Sequence, residues 1–227
     1  MKEKKKYLAG TKKVLKNSQK IKKPYWVTIA KKKFIILPNV FSPKYFFDTE
    51  FFAKNINVDK DEKFLEIGPG SGVISVFAAL NGAKVTAIDI NPQAVKNTIK
   101  NAKIHNVEKR VKVYQGNLFS PLAIDEKFDI IFWNTPFGYI NNQNISILEK
   151  SVFDPKYKST KIFISGSRDY LKDNGRLLIG FSPTLGHLGK LKDLLKENGF
   201  VVKMIAKTKS VETHPVSFDL FEARIKN

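Results

Sequence analysis

Short apolar runs alternate along the chain with segments whose apolar residues recur at helical spacing. The runs have the length and composition of buried strands, and they cover residues 64–67, 84–89, 111–114, 128–133 and 176–181. The intervening segments predict helices at residues 73–80, 91–104, 162–171 and 185–198. Regular alternation of strand and helix predicts a mostly parallel sheet with helices on both faces. The two final runs, 200–206 and 217–225, have no helix between them and should pair antiparallel.

The first 39 residues depart from this alternation and predict a basic N-terminal extension. Residues 1–23 are Lys-rich and weakly apolar, which predicts a helix that ends before Pro24. The apolar runs 25–29 and 34–37 predict a short hairpin that turns at residues 31–33. The main domain is then expected to span residues 40–227 and to begin with a helix at residues 44–57.

The composition excludes several classes of protein. The 227 residues suit one α/β domain with an extension. No apolar run approaches the roughly 20 residues of a membrane span, and the Lys-rich start does not resemble a secretory signal. The absence of cysteine excludes disulfides, thiolate catalysis and Cys-ligated zinc, and the three His residues lack the spacing of a metal site. We therefore expect a cytoplasmic protein without a metal or a membrane partner.

The positive charge is concentrated at the start of the chain. The net charge is +19, and residues 1–33 contain thirteen Lys and one acidic residue. A basic arm beside a globular domain is typical of proteins that bind polyanions such as RNA. A Lys-rich proteome explains the same excess, and the scarcity of Arg, the better ligand for phosphate, leaves both interpretations open.

A glycine-rich loop follows the first predicted strand of the main domain. Gly68, Gly70 and Gly72 suit either a tight strand-to-helix turn or the close approach of a ligand to the backbone. Asp89 ends the second strand 21 residues after Gly68, where nucleotide-binding α/β folds place the acid that binds a ribose diol. Glu66 would repel a pyrophosphate but would attract an ammonium group. This charge pattern favours S-adenosylmethionine over a dinucleotide.

Together these motifs resemble the class I S-adenosylmethionine-dependent methyltransferases, with their Rossmann-like sheet, over residues 40–225. The stretch from Glu66 through Gly68, Pro69 and Gly70 to Gly72 resembles the first motif of that family. The resemblance implies further cofactor contacts with the ribose, the adenine ring and the adenine edge, made by Asp89, Ile90, Asn117 and Leu118. The family often has Asp where this chain has Asn117, and an amide can still make the contact.

A second motif follows the fourth strand directly. Asn134, Thr135, Pro136 and Phe137 resemble the Asn-Pro-Pro-Phe/Tyr motif of methyltransferases that act on planar nitrogen. The lone pair of such a nitrogen is delocalised, so the enzyme must orient it. The Asn side-chain oxygen and the carbonyl of the next residue can accept its two N–H groups, and the aromatic ring can stack on the acceptor. Thr135 departs from the motif but keeps the carbonyl.

The order of the motifs resembles the "methyltransferase small" domain group. That group includes ribosomal RNA guanine-amino methyltransferases, and the related release-factor glutamine methyltransferases share the Asn-Pro-Pro motif. The resemblance also implies that Thr49 and its helix lie over the cofactor and that Asn134 contacts it as well. Residues 138–144 are polar and Asn-rich, which suits either a substrate lid or a solvated loop. His214, between the last two strands, is an additional candidate for a catalytic role.

These observations leave three functions open. The sequence favours methylation of a planar nitrogen in RNA or in a translation protein. The altered motif also allows a methyltransferase, or another S-adenosylmethionine-using enzyme, that acts on a small metabolite. A catalytically silent RNA-binding module is a third alternative, and the intact set of Glu66, Gly68, Gly70, Gly72 and Asp89 argues against it.

Overall fold

The computed structural model describes residues 2–209 and 216–226. The helices are α1 Lys2–Ser18, α2 Asp48–Asn55, α3 Val73–Leu80, α4 Pro92–Ile104, α5 Lys158–Tyr170 and α6 Leu188–Glu197. The strands are β1 Tyr25–Ile29, β2 Lys32–Ile36, β3 Lys63–Ile67, β4 Lys84–Asp89, β5 Val111–Gln115, β6 Phe128–Asn134, β7 Gly138–Ile140, β8 Phe153–Pro155, β9 Leu171–Phe181, β10 Phe200–Lys209 and β11 Ser217–Ile225. Within the described ranges, no helix is both long and apolar enough to cross a membrane.

A seven-stranded sheet forms the centre of the molecule, in the order β10-β11-β9-β6-β3-β4-β5. Strands β9, β6, β3, β4 and β5 run parallel, and β11 runs antiparallel to both of its neighbours. Helix α3 packs on both α2 and α4, and α5 packs on α6. The predicted fold class, a Rossmann-like sheet with its last strand antiparallel and helices on both faces, is confirmed. The carboxyl ends of the parallel strands meet at one edge, where ligands bind in such sheets.

The N-terminal extension contains the predicted helix and hairpin. Strand β1 pairs antiparallel with β2, and the turn falls at Ala30 and Lys31, slightly earlier than predicted. Two buried side-chain amides of α4 hold β2 on the domain, because Asn97 and Asn101 hydrogen-bond the backbone of Ile35 and of Leu37, just after the strand. Residues of α1 and of the hairpin belong to the same hydrophobic core as the sheet. The domain boundary at residues 39 and 40 stays a prediction.

Several element bounds differ from those predicted. Helix α2 begins at Asp48 rather than at residue 44, because Ser42 forms a turn in which its backbone carbonyl and hydroxyl accept from the amides of Tyr45 and Lys44. Strand β9 begins at Leu171, earlier than the apolar run at residues 176–181 predicts. The first residues of the 138–144 loop form β7, which pairs with β8. His214 lies outside the described residues.

Candidate active site

A cavity of about 330 Å³ opens at the carboxyl ends of β3, β4 and β6. Its lining includes most of the residues that the motifs predict, namely Thr49, Glu66, Gly68, Pro69, Gly70, Asp89, Ile90, Asn117, Leu118, Asn134 and Pro136. Residues far apart in sequence therefore meet at the edge where the parallel strands end. Three predicted residues, Gly72, Thr135 and Phe137, lie next to this cavity wall but not in its lining.

The glycine-rich loop adopts a backbone that favours glycine. Gly68 and Gly70 have φ values of 63° and 57°, in the left-handed region. The amide of Gly68 donates to the carbonyl of Ile88 at 2.8 Å, and the amide of Gly70 donates to Asp89 Oδ2 at 3.0 Å. A Cβ on Gly68 would lie 3.2 Å from Trp133 Nε1, so the loop is packed closely against β6. The loop thus presents backbone rather than side chains to the cavity.

Helix packing alone explains why position 72 is a glycine. It precedes α3 with a φ of 77°, and an added Cβ would lie 2.8 Å from the Cα of Thr98 in α4. The close contact between α3 and α4 therefore requires glycine at this position. The predicted cofactor contact of Gly72 stays a prediction, and the packing accounts for the residue by itself.

Asp89 is held in place by backbone donors on both sides. Its Oδ1 accepts from the amide of Asn91 at 2.8 Å and its Oδ2 accepts from the amide of Gly70. The side chain is largely buried, and this burial raises its pKa to about 6. The carboxylate is therefore fixed at the cavity wall, and its contact with the ribose stays a prediction.

Glu66 is a buried carboxyl group in the cavity lining. It is 2% exposed and accepts a hydrogen bond from the Ser75 hydroxyl. Burial, with a smaller contribution from the nearby Asp89 charge, raises its pKa to about 8. Among the residues that the structure describes, none forms an ion pair with Glu66. A cationic ligand in the cavity would supply the missing positive charge.

Asn134 ends β6 and borders the cavity. Its Nδ2 donates to Asp48 Oδ2 at 2.8 Å, whereas its Oδ1 is buried and has no hydrogen-bond partner. Within the described ranges, this oxygen is the one buried side-chain polar atom that lacks a partner. Unpaired buried acceptors are rare because they lose their hydrogen bonds to water. The described residues supply no donor to this oxygen, which lies against β9, 3.1 Å from where a Cβ on Gly180 would be. Its contact with an N–H group of the acceptor stays a prediction.

Thr135 stands where the motif has its first proline, and it makes two hydrogen bonds that a proline could not make. Its amide and its hydroxyl both donate to the carbonyl of Gly180 in β9, at 3.0 and 2.9 Å. Phe137 is buried and packs edge-on against Phe218, with 5.8 Å between the ring centres. The Tyr157 hydroxyl also donates to the carbonyl of Phe137 at 2.9 Å. The predicted stacking of Phe137 on an acceptor stays a prediction, since its ring contributes to the core.

The outer wall of the cavity comes from segments outside the two sequence motifs. This wall consists of Phe41, of β8 and the start of α5, and of a short 3-10 helix, Glu149–Ser151, with the residues before it. Ile147 and Ile162 are each 46% exposed at this wall. Such residues have no spacing that marks them, because they come from elements whose position depends on tertiary packing.

The basic helix α1 lies beside the same wall. Lys12 forms a 3.0 Å ion pair with Glu149 of the 3-10 helix. Lys4 donates a hydrogen bond to the carbonyl of Gly186, which follows β9. Leu15 is buried against the main domain. The extension is therefore packed next to the cavity rather than separate from it.

These residues fit S-adenosylmethionine, whose sulfonium supplies the methyl group when it is bound. Glu66 lacks a cation and suits the ammonium of the methionine part. Asp89 suits the ribose diol, and the apolar side chains of Ile90 and Leu118 suit the adenine ring. Asn134, with its unpaired oxygen, lies in the same lining.

The site and fold define a Rossmann-like methyltransferase. A family model described as "Methyltransferase small domain" matches residues 31–210, and the chain belongs to this family. The protein is therefore an S-adenosylmethionine-dependent methyltransferase, and S-adenosylmethionine is its cofactor.

Relatives in other organisms have more specific names. A Methanocaldococcus jannaschii protein, named provisionally as a protein N5-glutamine methyltransferase, is 34% identical over 76% of this chain and 86% of its own length. A release factor glutamine methyltransferase of Fusobacterium nucleatum is 31% identical over 65% of this chain and 44% of its own length. The chain thus spans about half of the release-factor enzymes that it matches.

Solved structures share the fold at low identity. The T. thermophilus 16S rRNA N2 G1207 methyltransferase, in complex with AdoMet and guanosine, has a TM-score of 0.64 and is 18% identical over 89% of this chain and 50% of that chain. An M. jannaschii tRNA m1G37 methyltransferase has a TM-score of 0.64 and is 19% identical over 91% of this chain and 58% of that chain. This similarity shows the fold alone.

Proposed function

We propose that this enzyme methylates the side-chain amide nitrogen of a glutamine in a protein of the translation machinery. The observation that carries the proposal is the unpaired, buried Oδ1 of Asn134 beside the cofactor cavity. A primary amide offers two N–H groups, and the Thr135 carbonyl is the second acceptor that the motif supplies. The names of the relatives support the choice of glutamine. We also propose that the enzyme acts in the cytoplasm, where translation takes place.

The side chains at the site would act by orientation rather than by base catalysis. An amide nitrogen is a weak nucleophile because its lone pair is shared with the carbonyl. Hydrogen bonds from its N–H groups to Asn134 Oδ1 and to the Thr135 carbonyl would fix its direction and stabilise the positive charge that develops on it. The nitrogen–carbon bond forms as the carbon–sulfur bond breaks, and the nitrogen then releases one proton to water.

A radiolabelled methyl-transfer assay tests the proposal. Purified enzyme and labelled S-adenosylmethionine are incubated with release factors, ribosomal proteins, ribosomal RNA and a small-metabolite extract, all from cells that lack the enzyme. We expect label on a protein, and mass spectrometry should locate one methyl group on a glutamine side chain. Asn134→Ala should abolish the transfer, whereas Asn81→Ala, an exposed asparagine just after α3 and outside the cavity lining, should not. Label in RNA or in the metabolite fraction alone would contradict the proposal.

RNA is a second candidate acceptor, because the basic extension favours it. The guanine amino group is also a planar nitrogen with two N–H groups. Trp26 of the hairpin is 56% exposed and follows a Lys-rich segment, an arrangement that suits stacking on a base. The discriminating measurement is the salt dependence of RNA binding for the full chain and for Lys13→Glu/Lys16→Glu, two exposed residues of α1. A slope that is shallower in the variant supports RNA contact, and an unchanged slope rules it out for α1.

A further inference from the structure

Asp48 is a buried carboxylate next to the proposed acceptor site. It is the first residue of α2 and is 1% exposed. Its Oδ1 accepts from the amide of Thr49 at 2.9 Å, and its Oδ2 accepts from Asn134 Nδ2 at 2.8 Å. Burying a carboxylate without a cation is costly, and none of the ion pairs among the described residues includes Asp48. The free-energy cost of burying this carboxylate indicates that Asp48 has a role beyond packing.

The carboxylate determines which end of the Asn134 amide is free. A side-chain amide is nearly symmetric in shape, so sterics alone do not distinguish its oxygen from its nitrogen. An ionised carboxylate has no proton to donate, so it binds only the nitrogen end. The opposite end, Oδ1, is consequently left as an acceptor without a partner. Without this constraint the amide could rotate and offer a donor to the substrate.

We propose that Asp48 is a positioning residue, whose carboxylate fixes the Asn134 amide so that its oxygen is left for the N–H group of the methyl acceptor. The bond also polarises the amide, because a negative partner on Nδ2 draws electron density toward Oδ1 and makes it a stronger acceptor. The proposal rests on the proposed function only in requiring an acceptor with an N–H group.

Asp48→Asn tests this role with little change in volume. An asparagine has one oxygen, which cannot accept from both Thr49 and Asn134. If that oxygen keeps the Thr49 bond, its NH₂ group faces Asn134, and the Asn134 amide turns to accept it. We expect kcat for methyl transfer to fall by about a hundredfold, as when one group that stabilises developing charge is lost. The Kd of S-adenosylmethionine should change by less than about twofold, because Asp48 does not line the cofactor cavity.

Glu50→Gln is the matched control, because it removes a carboxylate from the same helix. Glu50 is partly exposed and pairs with Lys54 at 2.6 Å. We expect its kcat to remain close to that of the unaltered enzyme. A similar loss of kcat in both variants would overturn the positioning role, because it would indicate a general effect of charge or helix stability.

The reciprocal double variant tests orientation directly. In Asp48→Asn/Asn134→Asp, the new amide can donate to the new carboxylate, whose second oxygen replaces Oδ1 as the acceptor. We expect the double variant to regain part of the kcat that Asp48→Asn loses, which appears as a coupling energy in a double-mutant cycle. If the losses of kcat in the two single variants simply combine in the double variant, with no coupling energy, the proposal is overturned.

A spectroscopic readout requires no acceptor and separates this proposal from the proposed function. In protein labelled with [15N]asparagine, the Asn134 side-chain resonances are assigned by their absence in Asn134→Asp. We expect Asp48→Asn, but not Glu50→Gln, to shift them. Unchanged resonances in Asp48→Asn would overturn the positioning role. If the unaltered enzyme transfers no methyl group to glutamine while these resonances shift, the assigned acceptor is wrong and the orientation of Asn134 stands.

Discussion

The buried carboxyl group of Glu66 makes cofactor binding dependent on pH in a way that one substitution should remove. Glu66→Gln keeps the size of the side chain and an oxygen that can accept from the Ser75 hydroxyl. It removes the charge that we assign to the ammonium of S-adenosylmethionine. The affinity of the variant for the cofactor should therefore lose both its ionic contribution and the pH dependence that comes with it.

The magnitude follows from the raised pKa of Glu66. With a pKa of about 8, the group is ionised in roughly one free molecule in ten at pH 7. The complex requires the ionised form, so binding releases a proton and affinity rises with pH toward about 8. The expected change is about tenfold between roughly pH 6.5 and 7.5, or about 1.4 kcal/mol per pH unit. Burial raises the pKa of Asp89 only to about 6, so its titration falls below this window.

Isothermal titration calorimetry measures both consequences. Titrations in two buffers with different ionisation enthalpies give the number of protons released, and Kd values across the window give the slope. The upper limit of the window keeps the cofactor's own amino group, with a pKa of roughly 8, largely protonated. We expect proton release and a tenfold slope for the unaltered enzyme, and neither for Glu66→Gln. A flat Kd in the unaltered protein, or the same slope in the variant, would refute the assigned ammonium contact.

Three further substitutions test other parts of the site. Gly72→Ala should lower the free energy of unfolding by at least about 2 kcal/mol in urea titrations, because it strains a positive φ and crowds Thr98; Gly189→Ala, which has open space, should not. Thr135→Val should cost about 1 kcal/mol in the same assay, by loss of the hydroxyl bond to Gly180, and a neutral result would contradict that bond. Asp89→Asn should weaken cofactor binding at least about tenfold by calorimetry, because one oxygen cannot serve both backbone donors and the ribose; an unchanged Kd would contradict the assigned contact.

The centre of the sheet could be predicted because its strands are buried on both faces. Such strands are largely apolar runs, and β3, β4 and β6 fall where those runs occur. The glycine-rich loop and the Asn134 loop follow the ends of two of these strands, so the sequence also indicates that they share one edge. The fold class and the cofactor can therefore be predicted from the sequence without any knowledge of tertiary contacts.

The remaining features depend on contacts between distant segments. Asp48 and Asn134 are 86 positions apart, and nothing in the local sequence of either indicates the bond between them. The hairpin turn uses Ala30 and Lys31 at positive φ, where no glycine marks the position. Strands β7 and β8 have three residues each, too few for a periodic pattern. Phe137 belongs to a motif in sequence, but its packing on Phe218 is set by β11.

The docking of α1 has a consequence for the order in which the molecule is completed during synthesis. Lys4 bonds to Gly186, which enters the chain 182 positions later, and Lys12 pairs with Glu149. Chain synthesis adds roughly 5–20 residues per second, so on the order of ten seconds pass between the synthesis of α1 and that of the residues on which it docks. Throughout that interval its lysines remain exposed on the nascent chain, close to the ribosome. The wall beside the cofactor cavity is thus among the last parts of the fold to close.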